Sequence, residues 1–347
     1  MSGGVDSSVA ACLLQEQGYE VVGSHMQLVH LDGVEHGCCG PAARRDAAEV
    51  ARIAGFAFEI CDLTDAFERT VIADFVAEHE AGRTPNPCAR CNGEIKFGAF
   101  LRRADELDVD FVATGHYARS AFARGRWRLL RGADATKDQS YMLHMLGQRE
   151  LARSLFPVGE LPKARTRALA ERFGLPVAAK PDSQELCFAP SGEAGAYLAS
   201  VAPHLMTEGD VVDPDGRVLA RHGGAAAFTV GQRRGLGVAG PEPSYVLEVD
   251  AATRRVVVGP GELLARSGLV ADRVSWVAGG SPSDGPFEAE IRIRYRGEDV
   301  PAVIEPEDDR VRVEFRTPQR GVAPGQSAVV YRRDELLGGG RIVDAVR

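Results

Sequence analysis

The chain divides where the period of its apolar positions changes. From residue 5 to about residue 190, runs with helical spacing alternate with short apolar runs of strand length. Val9, Ala10, Leu13 and Leu14 place one apolar face on a first helix, which Gly18 stops. Tyr19 to Met26 then reads as a strand, Ala42 to Ala54 as a helix stopped by Gly55, and Phe56 to Cys61 as a second strand. Asp65 to Ala81 predicts a long helix, and Phe111 to Thr114 a further strand ending at Gly115-His116-Tyr117. Leu161 to Phe173 is a basic helix closed by Gly174. Strands alternating with helices predict an α/β domain: a parallel sheet with helices on both faces. Such sheets bind ligands at the carboxyl ends of their strands, where Met26 and Gly115 fall.

From about Gly209 the period becomes two. Asp210 to Leu219 reads as a hairpin around Asp215-Gly216, and Phe228 to Gly237 carries Gln232-Arg233-Arg234 among glycines. Beyond Gly268 nearly everything is strand. Ala289, Ile291, Ile293 and Tyr295 alternate with Glu290, Arg292, Arg294 and Arg296. That predicts a strand from Glu288 to Arg296 with a basic row on one face, most simply a solvated face. Val311, Val313 and Phe315 repeat the alternation. The organisation expected is a nucleotide-type α/β domain over residues 1–198, a small mixed or β central domain over 199–266, and a C-terminal β-barrel over 267–347.

Composition narrows the function. A net charge of −8 argues against binding nucleic acid by bulk charge, so any RNA contact must come from local basic patches. No apolar run is long enough to span a membrane and no signal peptide is recognisable, so a cytoplasmic protein without a membrane partner is the expectation. Seven cysteines in such a chain argue against a disulfide framework. Cys12 and Cys61 read as small core residues, and Cys38-Cys39 as a vicinal pair in a loop.

Two kinds of segment carry chemistry. The first is Ser2-Gly3-Gly4-Val5-Asp6-Ser7-Ser8. Its glycines let the backbone turn its amides onto an anion, and the serines open a helix whose N-terminus favours phosphate. No Gly-Lys-Ser/Thr follows, so this is not a Walker loop. It resembles the pyrophosphatase loop of enzymes that split ATP into AMP and pyrophosphate, with Asp6 placed to help hold magnesium. Such a loop is expected to follow a buried parallel strand, and here Met1 stands directly on the loop. The second kind is a pair of proline-stiffened polar segments ending on cysteines: Gly82 to Asn92, with Cys88 and Cys91, and Lys180 to Phe188, with Cys187. Arg83 and Arg90 are expected to stabilise thiolates nearby. The Cys88–Cys91 pair reads as redox or persulfide chemistry, as part of an iron–sulfur cluster, or as structural. Together the segments point to adenylation of a large substrate followed by thiol chemistry.

At this point the sequence closely resembles the bacterial tRNA-specific 2-thiouridylases. Matching runs are Ser2 to Ser8, His25-Met26, Gly82 to Cys91 with Asn92 and Lys96-Phe97, Ala113 to Tyr117, Lys137 to Tyr141, Lys180 to Cys187, Phe228 to Gly237 and Gly321 to Gln326. The resemblance implies an ATP-dependent tRNA-uridine 2-sulfurtransferase acting on the wobble uridine, with ATP and Mg2+ as cofactors. Ser2 to Ser8, Met26 and Gly115 would bind the nucleotide. Cys187 would carry a persulfide, charged by a sulfur-carrier protein or a cysteine desulfurase, and Cys91 would be its partner nucleophile. Asn86, Pro87 and Cys88 would face the target base, while His116, Lys137, Asp138, Gln139, Tyr295, Arg296 and Gln326 would touch tRNA. Many members carry aspartate where this chain has Cys88, so Cys88, Cys91 and Cys187 holding a [4Fe-4S] cluster is the alternative chemistry. Two rival readings are a pyrophosphatase-loop ligase indifferent to Cys91 and Cys187, and a non-catalytic tRNA-binding protein.

Overall fold

The computed structural model describes residues 1–29, 40–182, 186–189, 194–240 and 242–347. Cys38-Cys39 and Ser183 to Glu185 of the second cysteine segment lie outside them.

The N-terminal region follows the predicted alternation: α1 (Val5–Glu16), β1 (Val22–Gln27), α2 (Pro41–Ala54) and β2 (Ala57–Asp62). The strands β1 and β2 pair in parallel, Met26 opposite Cys61. Helix α3 (residues 64–80) runs without a break but widens into a π-turn over Glu68–Ile72. Asn86 and Pro87 then start α4 (residues 87–106), which carries Cys88 and Cys91 in its first turns and is π-helical over Asn92–Ala99. Asn86 caps it through Oδ1, which accepts the amide of Ala89, and Pro87 takes the first helical position, where no amide is needed. The predicted strand after Phe111 shortens to β3 (Val112–Ala113).

Next comes a hairpin, β4 (Ala118–Ala123) and β5 (Arg126–Arg131), that the helical spacing did not announce. Helix α5 (Gln148–Ala152) leads to β6 (Ser154–Leu155), which pairs in parallel with β3. Helix α6 (Lys163–Arg172) packs on α1, and α7 (Ala194–Val201) closes this half. The pairs β1–β2 and β3–β6 are not hydrogen-bonded to each other. A cleft of about 1800 Å³, lined by Met1, Gly23 and Val112 among others, extends from between them to the two cysteine segments.

The middle region is a four-stranded sheet of β7 (Gly209–Val212), β8 (Val218–His222), β9 (Ser244–Asp250) and β10 (Arg255–Pro260), in the order β8-β7-β10-β9. The predicted hairpin at Asp215-Gly216 joins β7 to β8, with Gly216 at φ +85°. The C-terminal region contains β11 (Ala265–Trp276), β12 (Phe287–Arg292), β13 (Val300–Glu307), β14 (Arg310–Arg320), β15 (Ser327–Arg332) and β16 (Glu335–Val346). Ring order β11-β14-β13-β12-β15-β16, with β16 returning to β11, makes a closed barrel that leaves these six strands no open edge. Strand alternation buries Val311, Val313 and Phe315 inside.

One expected strand is shorter than the pattern implies. β12 ends at Arg292, because Gly297 donates to the carbonyl of Arg294 and turns the chain back. The basic row is therefore broken: Arg292 is nearly buried on Asp299, while Arg294 and Arg296 lie beyond the strand. The hairpin β4–β5 joins the barrel sheet through β5 and β16, Leu129 opposite Leu336. Phe97, Leu101, Tyr141 and Leu143 of the N-terminal region thus share one core with Val329, Tyr331 and Leu336 of the barrel.

Candidate active site

The first loop is a glycine turn ahead of an uncapped helix N-terminus, a shape that suits an anion. Gly3 has φ +66°, and a Cβ there would stand 2.2 Å from the carbonyl oxygen of Ala43, so only glycine fits between loop and α2. Gly4, in extended conformation, precedes α1 without a side-chain cap, which leaves the helix's first amides to whatever the loop binds. Ser8 Oγ donates to the Gly4 carbonyl at 2.8 Å, and Ser7 Oγ accepts the amide of Ser2 at 3.1 Å. Val5 and Ser8 are buried, and Ser2 and Asp6 face the cleft. Gly115, after β3, packs so closely on this loop that a Cβ would lie 2.5 Å from the amide nitrogen of Ser7. Met26, at the end of β1, lines the same cleft, so the two strand ends named from the sequence converge beside the loop.

Asp6 is the chemical centre of the loop. Its Oδ1 accepts from the Tyr117 hydroxyl at 2.8 Å, and both oxygens accept from Lys163 Nζ, at 2.7 and 2.8 Å. Magnesium carried by a nucleotide needs only one or two protein carboxylates beside the phosphates, and Asp6 fits that demand. Lys163 also reaches Asp182 Oδ1 at 2.7 Å, and Asp182 receives Lys137 at 2.9 Å and Arg167 at 3.0 Å. Burial opposes ionisation of Asp182. The hydrogen bonds and charges of Lys163 and Lys137 outweigh it and hold the carboxyl at about 2. Lys180 anchors the loop from the other side, on the Gly3 carbonyl at 2.9 Å and on Asp46 at 2.5 Å.

At the far end of the cleft are the cysteines. Cys91 is buried, Cys187 half-buried and Cys88 exposed, and all three line the cleft. Cys91 and Cys187 meet the same apolar cluster, anchored by Phe188, whose ring packs on Phe67, Phe75 and Tyr197 with centroids 4.9 to 5.9 Å apart. Arg83 is held by Glu78 at 2.6 Å and Arg90 by Glu94 at 3.0 Å, so the two charges expected beside the thiolates are shared with carboxylates. Among the described residues, no three His, Cys, Asp or Glu side chains converge to hold a metal ion. Cys88, Cys91 and Cys187 do not form a cluster cradle in this arrangement.

The predicted tRNA- and base-facing residues divide by side-chain commitment. All of them line the cleft, Lys137 with its ammonium on Asp182. His116 accepts or donates through Nδ1 to Thr114 Oγ1 at 2.8 Å, and desolvation, with Lys96 nearby, pushes its pKa well below the usual range, so the ring is neutral. Asp138 is buried at the cleft wall and already engaged: it accepts from the amides of Gly132 and Ser140 and faces Arg131 and Arg292 at 3.5 and 3.6 Å. Gln139 Oε1 accepts the amide of Tyr117. Asn86 Nδ2 donates to Ser327 Oγ, and Gln326 Nε2 donates to the carbonyls of Thr84 and Pro85. Thr84 itself donates its amide to Pro324 and its hydroxyl to Thr229. The three regions therefore meet on the cysteine loop. Lys163, Tyr117 and Asp182 were missed as site residues; the signals available were the basic helix that begins at Lys163, the strand end carrying Tyr117 and the proline-stiffened segment carrying Asp182.

Comparison with known proteins gives the family of the chain. The tRNA methyl transferase HUP domain family matches residues 1–191, the tRNA methyl transferase PRC-barrel domain residues 196–260, and the Aminomethyltransferase beta-barrel domain residues 266–342. The tRNA-specific 2-thiouridylase MnmA of Acidothermus cellulolyticus is 48% identical, over 99% of this chain and 96% of the relative. Its counterpart in Symbiobacterium thermophilum is 45% identical, over 100% and 91%. A solved structure, the U34-tRNA thiolase NcsA from Methanococcus maripaludis with its [4Fe-4S] cluster, is 20% identical with a TM-score of 0.35, over 58% of this chain and 65% of that one, a likeness too slight to bear on the site. No described helix is long and apolar enough to cross a membrane. With three domain families in register and full-length relatives at this identity, the chain belongs to the tRNA-specific 2-thiouridylase family.

Proposed function

We propose that this protein is an ATP-dependent tRNA-uridine 2-sulfurtransferase that replaces the C2 oxygen of the wobble uridine with sulfur. The observation that carries the reading is one cleft with an anion loop and a magnesium-competent carboxylate at one end and Cys91 and Cys187 on a common apolar floor at the other. A nucleotide held by Ser2 to Ser8 would place its α-phosphate in the cleft that Cys91 and Cys187 also line. The uridine C2 oxygen attacks the α-phosphorus, pyrophosphate departs, and the base becomes an O-adenylate with an electrophilic C2. The terminal sulfur of a Cys187 persulfide adds to C2 and AMP leaves, which puts the base in disulfide linkage with Cys187. The Cys91 thiolate then attacks the Cys187 sulfur. The base leaves as 2-thiouridine, a Cys91–Cys187 disulfide remains, and an external thiol reduces it. The persulfide is renewed by a sulfur-carrier protein or a cysteine desulfurase reaching Cys187 from the cleft.

Magnesium, when bound at Asp6, neutralises phosphate charge. The neutral His116 and the half-buried Tyr295 are suited to a base rather than to a phosphate, and Arg233, Arg234 and Arg296 supply exposed positive charge for the tRNA backbone despite the net charge of −8. Turning the base out of its stack costs a few kcal/mol, which backbone contacts offset.

The test is nucleoside mass spectrometry of unmodified tRNA incubated with metal-stripped protein, ATP, magnesium and a persulfide donor. 2-Thiouridine is expected, and Cys187→Ser should abolish it while pyrophosphate release persists. Thiolation only after anaerobic iron–sulfur reconstitution would replace the persulfide by a cluster. None under either condition would overturn the activity.

A further inference from the structure

Lys163 joins two parts of the proposed reaction that are far apart in sequence. Its side chain is only 11% exposed, and its ammonium is divided between Asp6 in the pyrophosphatase loop and Asp182, five residues before Cys187. The stem starts from a fixed point: Lys163 opens α6 directly after Pro162, and its amide donates to Asp134 Oδ2 at 3.0 Å. The Tyr117 ring lies below the ammonium, 5.6 Å from its centroid, and the Tyr117 hydroxyl holds the same Asp6 oxygen. Asp182 is anchored independently by Lys137 and by Arg167, which also binds the carbonyls of Ala178 and Lys180.

Three cations thus face two carboxylates, a surplus of one positive charge beside an anion cradle. A carboxylate that ligates magnesium has less electron density to offer an ammonium, and the metal repels it. Lysine suits an exchange of partners, because its donors sit on a flexible stem that swings while the backbone stays anchored.

Resting on the nucleotide reading above, we propose that Lys163 is a positioning residue with exchangeable partners. It donates to Asp6 while the loop is empty and to nucleotide phosphate once Asp6 holds magnesium, keeping Asp182 throughout. Occupancy of the loop is thereby transmitted to Asp182, five residues before Cys187, and through it to the reactivity of that cysteine.

The experiment uses the full chain, reduced, with magnesium and α,β-methylene-ATP. Nucleotide binding is read by equilibrium dialysis, and the alkylation rate of Cys187 by iodoacetamide is read by peptide mass spectrometry. In the unmodified protein the analogue should change that rate severalfold. Lys163→Met should lose about tenfold in nucleotide affinity, the size of one hydrogen bond between charged groups, and at saturating analogue should show no change in Cys187 alkylation. Lys163→Arg, which retains the charge and can span both carboxylates, should restore part of the response. Asp182→Asn should lose the response while still binding nucleotide, which guards against misfolding of the Met variant. An undiminished response in Lys163→Met or Asp182→Asn overturns the proposal, as does an unmoved Cys187 in an unmodified protein that binds the analogue. Failure of the unmodified protein to bind it at all would instead overturn the nucleotide reading, and this inference with it.

Discussion

Adding one methyl group at Gly115 tests whether the strand end and the glycine loop of Ser2 to Ser8 form one rigid unit. The backbone there is outside the left-handed region, so alanine carries no conformational penalty of its own. The cost is steric. The new Cβ would lie 2.5 Å from Ser7 N, 2.6 Å from Asp6 C and 2.9 Å from Ser7 Cα. Ordinary contact between such atoms is about 3.5 Å, so loop and strand end must separate by roughly 1 Å. The loop has little room to yield, since Gly3 is already pressed on Ala43 and its carbonyl is held by Lys180. Overpacking of this kind costs about 1–3 kcal/mol, or about 2–12 °C in melting temperature for a domain of this size. A displacement of about 1 Å at a reacting centre also costs about a hundredfold in rate. Thermal melting and tRNA-dependent pyrophosphate release are therefore measured on Gly115→Ala beside Gly285→Ala, whose Cβ meets nothing within 4 Å. The control should match the unmodified protein. A Gly115→Ala protein that melts within about 1 °C of it and turns over normally would refute the rigid-unit argument.

Two further outcomes follow from the joint between the regions. Glu78, with 2% of its side chain exposed, is shared by Arg83 and by Arg341 of β16, which also holds Asp272. Arg341→Met leaves both carboxylates under-compensated and should cost about 3 kcal/mol in urea unfolding, with part recovered by adding Glu78→Gln; a loss below about 0.5 kcal/mol would show that the pair is idle. His144 is buried against Ser327, and desolvation lowers its pKa to about 4. The unfolded chain then binds the proton first, between the ordinary value of about 6.5 and 4, so stability falls as pH drops through that window, by about 2 kcal/mol from pH 7 to pH 5. His144→Gln should flatten this slope in urea titrations at the two pH values, and an unaltered slope would place the acid lability elsewhere.

Much of the site was legible because its signals are local. Gly3-Gly4 ahead of Asp6 and two serines announces an anion loop, and φ +66° at Gly3 follows from residue type. Pro85 and Pro87 around Asn86 announced a stiff cysteine loop, which became a capped helix start. The alternation in the last third announced inward-facing Val311, Val313 and Phe315, though not that β12 would stop at Arg292.

What the sequence determined by itself is therefore what lies within a few residues: helix and strand periods, the glycine geometry of the loop, and the identity of the cysteines. Tertiary structure alone decided which distant groups meet. Lys163 lies 157 residues from Asp6, and Gln326 lies 242 from Thr84. Likewise, β4–β5 leaves the α/β half to extend the barrel sheet. The physical reason is that a period records which face is buried but not against what, since any apolar face can cover another. An isolated lysine or aspartate carries no mark of its partner, so the residues that join the first loop to Asp182 become visible only when the fold brings their charges within hydrogen-bond distance.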